Sequence, residues 1–216
     1  DALDVLTRAI EASGHRAGED VWISLDIAAN ELGDADGYTL ALDDRRLSGE
    51  EMAARIVEWC NRYPILSIED PAGQDDWDSV ARVTAAVGDR VQIIGDDVLV
   101  TNAARVERAA AGGVVNAALI KVNQVGTVTE AKAALDAAAA HGWGAIVSAR
   151  SGESEDVAIA HLSTGWNAGQ LKVGSFTRSE RMAKWNEVLR IEEAMGADAV
   201  YAGTSAFAAP IREALA

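Results

Sequence analysis

Cysteine, proline and long apolar runs are scarce in this chain of 216 residues. Cys60 is its only cysteine, so the chain cannot form an internal disulfide or a thiolate-rich zinc or iron–sulfur site. With 3 prolines, 49% hydrophobic and 25% charged residues, the composition is that of a folded protein and excludes disordered and collagen-like chains. No run approaches the roughly 18 apolar residues of a membrane span, and the first residues lack a charged-then-apolar leader pattern. We therefore expect a cytoplasmic protein with no membrane partner.

Basic residues are fewer than acidic residues in this sequence. It has 19 lysines and arginines against 34 aspartates and glutamates, which gives a net charge of −15. Such a surplus of negative charge disfavours contact with the phosphates of nucleic acid or of an anionic membrane, so neither is expected as a partner. No composition shift or proline-rich linker divides the chain, and its length suits one α/β domain, which we place at residues 1–216.

Six short apolar runs alternate with longer amphipathic segments. The short runs are continuously apolar and are bounded by Gly, Asp or Pro, which is typical of buried parallel strands. Strands and helices in alternation predict an α/β fold with a parallel sheet. The predicted strands span residues 21–28, 65–68, 91–95, 117–122, 145–148 and 170–174.

Three of the longer segments carry a sequence signal for a helix start. In each of them a hydroxyl residue precedes a glutamate by three positions, which is the spacing of a capping box. The pairs are Ser48 with Glu51, Thr127 with Glu130, and Thr177 with Glu180.

A charged residue stands at or near the carboxyl end of each apolar run. In parallel α/β folds these strand ends face one common surface, where ligands bind. Two of the residues are lysines within apolar runs, and burying a lysine costs roughly several kcal/mol unless another group offsets its charge. We therefore expect one site built from six strand ends. The six residues are Asp26, Glu69, Asp96, Lys121, Arg150 and Lys172.

Three of these six residues are carboxylates, and no histidine or cysteine with ligand spacing accompanies them. The all-oxygen set of Asp26, Glu69 and Asp96 suits a hard cation such as Mg²⁺ or Mn²⁺. The adjacent Asp70 and Asp97 are expected to point away from the ion and to support the site from outside it. The sequence thus predicts a magnesium or manganese site.

The remaining residues suggest what happens beside that ion. Lys121 is the candidate general base, because a lysine buried beside a cation loses its proton more readily. Arg150, Ser151 and Lys172 suit contacts with phosphate or carboxylate. Together they predict proton abstraction next to a carboxylate. The sequence motifs for dinucleotide binding, P-loop hydrolysis and a serine nucleophile are absent.

Five segments of the chain resemble enolase, the phosphopyruvate hydratase family, in sequence and in order. The likeness runs essentially from one end of the chain to the other. The segments are SIEDPAGQDDW at 67–77, GDDVLVTN at 95–102, LIKVNQVGTVTEA at 119–131, SARSGESED at 148–156 and RSERMAKWNEVLRIEE at 178–193.

The resemblance implies a parallel (β/α) barrel of the enolase type and magnesium-dependent dehydration of 2-phosphoglycerate, a small phosphorylated hydroxy acid, to phosphoenolpyruvate. It also implies a homo-oligomer. By motif, the magnesium ligands are Asp26, Glu69 and Asp96, the general base is Lys121, the phosphate contacts are Arg150 and Ser151, and the lysine near the substrate carboxylate is Lys172.

The sequence departs from the enolase pattern in three ways. Ala149 stands where the family motif S-H-R-S-G-E has histidine, and the family stretch K-T-G-A-P-[AC]-R-S reads KVGSFTRS over 172–179. The six predicted strands are two fewer than the eight of a complete barrel. We expect the first barrel strands, the N-terminal capping domain and the general-acid glutamate of the family to be unrepresented in this chain.

These departures leave two alternatives open. One is an enolase paralogue that acts on a different phosphorylated or phosphonate substrate, as a carboxyphosphonoenolpyruvate synthase does. The other is a non-catalytic barrel subunit. Three carboxylates without a cation repel one another, so their presence together argues against the second alternative.

Overall fold

The computed structural model describes residues 2–34 and 37–216, so Asp1 and residues 35–36 of the predicted domain lie outside the described part. Its strands, numbered in chain order, are β1 (Ile23–Asp26), β2 (Gly33–Asp34), β3 (Gly37–Leu40), β4 (Arg45–Leu47), β5 (Ile65–Glu69), β6 (Gln92–Gly95), β7 (Ala117–Lys121), β8 (Gly144–Ser148) and β9 (Gly169–Leu171).

Six of these strands form one parallel sheet in the order β1-β5-β6-β7-β8-β9. They are the six that the apolar runs predict, which confirms the parallel α/β fold. Every residue of β6, β7 and β8 is buried, as expected for strands that are covered on both faces. The register pairs Asp26 with Glu69 and Lys121 with Ser148, so these strands end at the same level.

The six-stranded sheet is strongly curled. Gln92 of β6 and Gln170 of β9 are separated by two strands in the sheet, yet their side-chain amides exchange two hydrogen bonds of 3.0 Å. The inner face of the curl holds a small apolar cluster that includes Ile94, Leu119 and Ile146, whereas the larger core lies outside it, under the helices. Within the described residues β1 and β9 are the two edges of this sheet.

The helices pack on the outer face. They are α1 (Ala2–Ala12), α2 (Gly49–Arg62), α3 (Trp77–Val87), α4 (Ala103–Ala111), α5 (Val122–Val125), α6 (Val128–Ala140), α7 (Ala158–Gly165), α8 (Ser179–Met195) and α9 (Ala209–Ala214). Among the described residues no helix is both long and apolar enough to cross a bilayer.

Two of the three predicted helix starts are confirmed. Ser48 caps α2 in a full capping box with Glu51, and the hydroxyl of Thr127 accepts the backbone N–H of Glu130 in the first turn of α6. The prediction for Thr177 is wrong. Helix α8 begins only at Ser179, and the Thr177 hydroxyl is bonded to Ser175 in the preceding turn, so it cannot cap the helix.

One element has no counterpart in the sequence prediction. Strands β2, β3 and β4 form a small antiparallel sheet between β1 and α2. Tyr38 and Leu47 bury their side chains beneath it. These strands have two to four residues, which is too short for an alternating pattern to be recognised.

Candidate functional site

The predicted charged residues meet at the carboxyl ends of the parallel strands. Asp26, Glu69 and Lys121 are the last residues of β1, β5 and β7. Asp96 directly follows β6, and Lys172 directly follows β9. Because the strands are parallel and in register, their final side chains reach the same end of the curled sheet.

Lys172 joins the two edges of the sheet. Its Nζ lies 2.7 Å from Oδ2 of Asp26 and 2.8 Å from both carboxylate oxygens of Glu69. Partial burial lowers the pKa of Lys172, but the negative charge of Glu69 and the hydrogen bonds to Asp26 and Glu69 outweigh it, so the net shift is upward. The ammonium is therefore held as a cation on two of the predicted metal ligands.

Glu69 is the most deeply buried of the three predicted ligands, with 3% of its surface exposed. Burial raises its pKa to about 7; Lys172 counteracts this rise, and the negative charges of Asp26 and Asp96 add to it. The three carboxylates thus lie near enough to destabilise one another when ionised. A divalent cation that contacts oxygens only is the kind of group that offsets this charge.

A second lysine–carboxylate pair lies beside the first. Lys121 Nζ donates to Oδ2 of Asp96 over 2.5 Å, and both residues are buried. The other oxygen of that carboxylate, Oδ1, accepts from Nε2 of Gln124 at 3.1 Å. Each Asp96 oxygen therefore has its own side-chain donor.

Asp70 and Asp97 do not point away from the site as the sequence predicts. One oxygen each of Asp70, Asp96 and Asp97 lie within 4.8 Å of one another, so this trio could also hold a metal ion. The expected supporting role of Asp70 is nevertheless visible, because its carboxylate accepts the backbone N–H groups of Asp96 and Asp97 at 2.9 and 2.8 Å. Burial raises the pKa of Asp70 to about 7, against the lowering effect of these bonds.

The segment that follows β8 brings Arg150 and Ser151 to the same end of the sheet. The backbone N–H of Arg150 donates to Oδ1 of Asn123 at 3.0 Å, and its guanidinium lies 3.9 Å from Asp97. The carbonyl of Ser151 accepts from Arg181 at 2.8 Å. Both residues are exposed and can therefore be reached by a ligand.

Six of the seven predicted site residues border one cavity of about 450 Å³. Glu69 borders a neighbouring, more apolar cavity of about 520 Å³, and Lys172 borders both. Ala149, Arg178 and Arg181 also line the first cavity. The six residues on the first cavity are Asp26, Asp96, Lys121, Arg150, Ser151 and Lys172.

The sequence interpretation missed the uncharged residues that organise these groups. Asn123 and Gln124 follow Lys121 directly, so two amides next to a strand-end lysine were an available signal. Thr101 offered no signal, because its importance comes from a left-handed backbone conformation, with φ of 53°, that brings its hydroxyl to the Lys121 N–H at 3.0 Å.

Known proteins resemble this chain throughout. The family model for the C-terminal TIM barrel domain of enolase matches residues 1–210. Enolase 1 of Desulfitobacterium hafniense (strain Y51) is 46% identical over 211 residues, which are 97% of this chain and 48% of that protein. The chain thus spans about half the length of this curated relative, and the predicted enolase-type barrel fold is confirmed. We conclude that the chain belongs to the enolase family and represents its C-terminal barrel domain.

Proposed function

We propose that the protein carrying this chain is a magnesium-dependent hydro-lyase that converts 2-phosphoglycerate to phosphoenolpyruvate, a glycolytic reaction of the cytoplasm. The observation that carries the proposal is the pairing of two lysines with three carboxylates at one end of the barrel sheet. Lys121 contacts Asp96, and Lys172 contacts Asp26 and Glu69. Membership of the enolase family supports the same reaction.

The metal ligands in this proposal are Asp26, Glu69 and Asp96. They fit a magnesium ion because all their donor atoms are carboxylate oxygens and because burial of Glu69 and Asp96 leaves the negative charges of these two poorly screened. Magnesium, when bound, supplies positive charge that offsets the charge developing on the substrate carboxylate during proton removal.

Lys121 acts as the base. Its neutral amine takes the proton from the carbon that bears the carboxylate and phosphate, and the electron pair of that C–H bond moves onto the substrate carboxylate. The return of this pair forms the new double bond and expels the hydroxyl group of the neighbouring carbon, which takes up a proton and leaves as water. Burial of Lys121 keeps water from competing for its amine. A positioned base of this kind accounts for about 10²–10⁴-fold of the rate.

Three further side chains bind the substrate. Arg150 and Ser151 contact the phosphate, because an exposed guanidinium and a hydroxyl at the rim of the cavity suit phosphate oxygens. Lys172 contacts the substrate carboxylate, because its ammonium borders the same cavity as Arg150 and Ser151 and is a cation that suits a carboxylate.

The test replaces Lys121 with methionine in the natural full-length protein that contains this chain. With added magnesium, we expect the rate of phosphoenolpyruvate formation, followed by the ultraviolet absorbance of its double bond, to fall by about 10²–10⁴-fold. The control is Lys132→Met, since Lys132 lies on α6 and pairs with Asp136 at the surface. Turnover that survives Lys121→Met unchanged would reject Lys121 as the base.

One observation favours a second candidate, an enolase paralogue for a different phosphorylated or phosphonate substrate. Ala149 lines the same cavity as Arg150 and Lys121 and offers a methyl group where the family motif has an imidazole. The cavity can therefore accommodate a substrate whose shape or charge differs next to Ala149. Efficient turnover of 2-phosphoglycerate by the wild-type protein, measured beside phosphonate analogues, would exclude this candidate. The absence of magnesium binding in calorimetry would instead favour a non-catalytic subunit.

A further inference from the structure

The Asp96 carboxylate is held by two different side chains. Lys121 Nζ donates to Oδ2, whereas Gln124 Nε2 donates to Oδ1 at 3.1 Å. Rotating the carboxylate about its Cβ–Cγ bond would break both contacts at once. The plane of a predicted metal ligand is therefore set by the amide of Gln124 as much as by the lysine.

The orientation of the Gln124 amide is itself determined by its surroundings. Thr101 Oγ1 accepts the backbone N–H of Lys121 at 3.0 Å, so the threonine hydroxyl hydrogen is left to donate to another acceptor. The nearer acceptor is Gln124 Oε1, 2.7 Å away, whereas the carbonyl of Leu119 is 3.5 Å away. With its oxygen on Thr101, the amide must present its N–H group to Asp96.

This relay is anchored in the barrel wall. Thr101 is 1% exposed, and it reaches the end of β7 because both it and Val100 adopt left-handed backbone conformations, with φ of 53° and 47°. Such conformations are costly for β-branched residues. The hydroxyl also links to the backbone of Lys121 itself, so the candidate base and the candidate metal ligand share one hydrogen-bonded support.

We propose that Gln124 is a positioning residue, which Thr101 orients and which fixes the Asp96 carboxylate for magnesium and for Lys121. The inference rests on the proposed function, because it assigns Gln124 a role at the same metal site. Groups that hydrogen-bond to a metal ligand and orient it typically contribute about 10–100-fold to metal affinity.

The main experiment measures magnesium binding by calorimetry on the natural full-length protein. Gln124→Met keeps the length of the side chain but removes its donor, and we expect its magnesium Kd to rise by about 10–100-fold. At saturating magnesium, kcat should fall, because Asp96 and Lys121 lose their fixed arrangement. The KM for 2-phosphoglycerate should change little, because Gln124 does not line the cavity that Arg150 and Ser151 border.

Thr101 provides a second, independent arm. Thr101→Val removes the hydroxyl and should weaken magnesium binding as Gln124→Met does, whereas Thr101→Ser retains the hydroxyl and should keep wild-type affinity. When Thr101→Val is added to Gln124→Met, magnesium binding should be no weaker than in Gln124→Met alone, because both residues act through the amide of Gln124. If Gln124→Met does not fold, the comparison of Thr101→Val with Thr101→Ser decides the question.

Asn116→Ala is the matched structural control. The Asn116 amide accepts from the N–H of Ile93 and donates to the carbonyls of Gly88 and Val91, so it supports the opposite end of β6 from Asp96. Its loss should lower the melting temperature and leave the magnesium Kd unchanged.

Two outcomes distinguish this inference from the proposed function. If Gln124→Met and Thr101→Val both bind magnesium with wild-type affinity while Lys121→Met is inactive, the positioning role of Gln124 is overturned and the proposed function stands. A wild-type protein that neither binds magnesium nor dehydrates 2-phosphoglycerate would overturn the proposed function and this inference with it.

Discussion

Lys172 and Asp26 are 146 residues apart in sequence and come from opposite edges of the sheet, yet Nζ of the lysine lies 2.7 Å from Oδ2 of the aspartate. The same Nζ contacts both oxygens of Glu69, which belongs to the strand next to Asp26. The Lys172 ammonium thus links the two edges of the curled sheet at its carboxyl end and neutralises part of the negative charge of Asp26 and Glu69.

The free energy of unfolding of the metal-free protein should depend on pH through Glu69. Burial raises the pKa of Glu69 from its ordinary value of 4.5 to about 7 in the folded state. Between these values the folded state binds the proton more tightly than the unfolded state, so this stabilisation is present below pH 4.5 and is lost as the pH rises through about 7. We expect a slope of at most about 1.4 kcal/mol per pH unit from one such group.

Glu69→Gln should remove that part of the slope. Urea denaturation from pH 4 to pH 8 with a chelator present measures it, and a similar slope from Asp70 should remain, because burial raises its pKa to about 7 as well. Glu51→Gln is a control, because hydrogen bonds from Ser48 lower the pKa of Glu51. The contribution of Glu51 to the free energy of unfolding is therefore lost as the pH falls, which is a slope of opposite sign. Parallel stability curves for the wild type and Glu69→Gln would contradict the prediction.

Helix α2 should depend on its capping residue. Ser48 Oγ accepts the Glu51 N–H at 3.2 Å, and the Glu51 carboxylate accepts the Ser48 N–H at 2.8 Å. We therefore expect Ser48→Ala to lower the free energy of unfolding by about 1 kcal/mol. Thr177→Ala is the matched control with an expected change below about 0.5 kcal/mol, because Thr177 caps no helix. Equal losses in urea denaturation would show that the two hydroxyls matter alike.

The contrast between Ser48 and Thr177 shows what local sequence can predict. A capping box is a local feature, but whether a helix begins there depends on the turn before it. The ends of β5 and β7 were predicted to within one residue, at 68 and 122 against Glu69 and Lys121 in the structure, because both apolar runs are continuous. Their convergence followed from the parallel order of the strands.

Contacts between distant parts of the chain were not predictable in this way. The sequence placed Lys172 and Asp26 at strand ends but could not say that the sheet curls enough for them to touch. The orientation of Asp70 and Asp97 towards Asp96 likewise depends on the backbone after β6. The relay from Thr101 to Gln124 requires a backbone conformation that β-branched residues rarely adopt, so no propensity indicates it.

Cys60 should be nearly unreactive in the folded protein. Its side chain is buried, and burial raises the pKa of the thiol to about 11, although Arg90 lowers it slightly. At pH 8 only about one thiol in a thousand is then ionised, and the thiolate is the reactive form. Mass spectrometry after iodoacetamide treatment should show the peptide that carries Cys60 modified in urea and almost unmodified without it. Ser13→Cys, at the exposed end of α1, is the control that should react at once. Rapid modification of native Cys60 would contradict the burial of this thiol.

The segment that carries Arg150 and Ser151 should be held in place by a buried ion cluster on α8. Lys184 is 1% exposed; its Nζ lies 3.1 Å from Oε2 of Glu153 and donates to the carbonyls of Ser154 and Glu180. Glu153 also pairs with Arg181. Removing one partner of a buried pair costs about 3–5 kcal/mol when the other charge is left alone.

Because Arg181 still neutralises Glu153, Lys184→Met should cost less, about 1.5–3 kcal/mol in urea denaturation, which is the range for hydrogen bonds to charged groups. The exposed pair of Lys132 and Asp136 supplies the control, since Lys132→Met should change stability by less than about 0.5 kcal/mol. In the proposed reaction, Lys184→Met should also raise the KM for 2-phosphoglycerate, because Ser151 and Arg150 would lose their fixed position. If Lys184→Met is as stable as Lys132→Met, the cluster does not hold this segment in place.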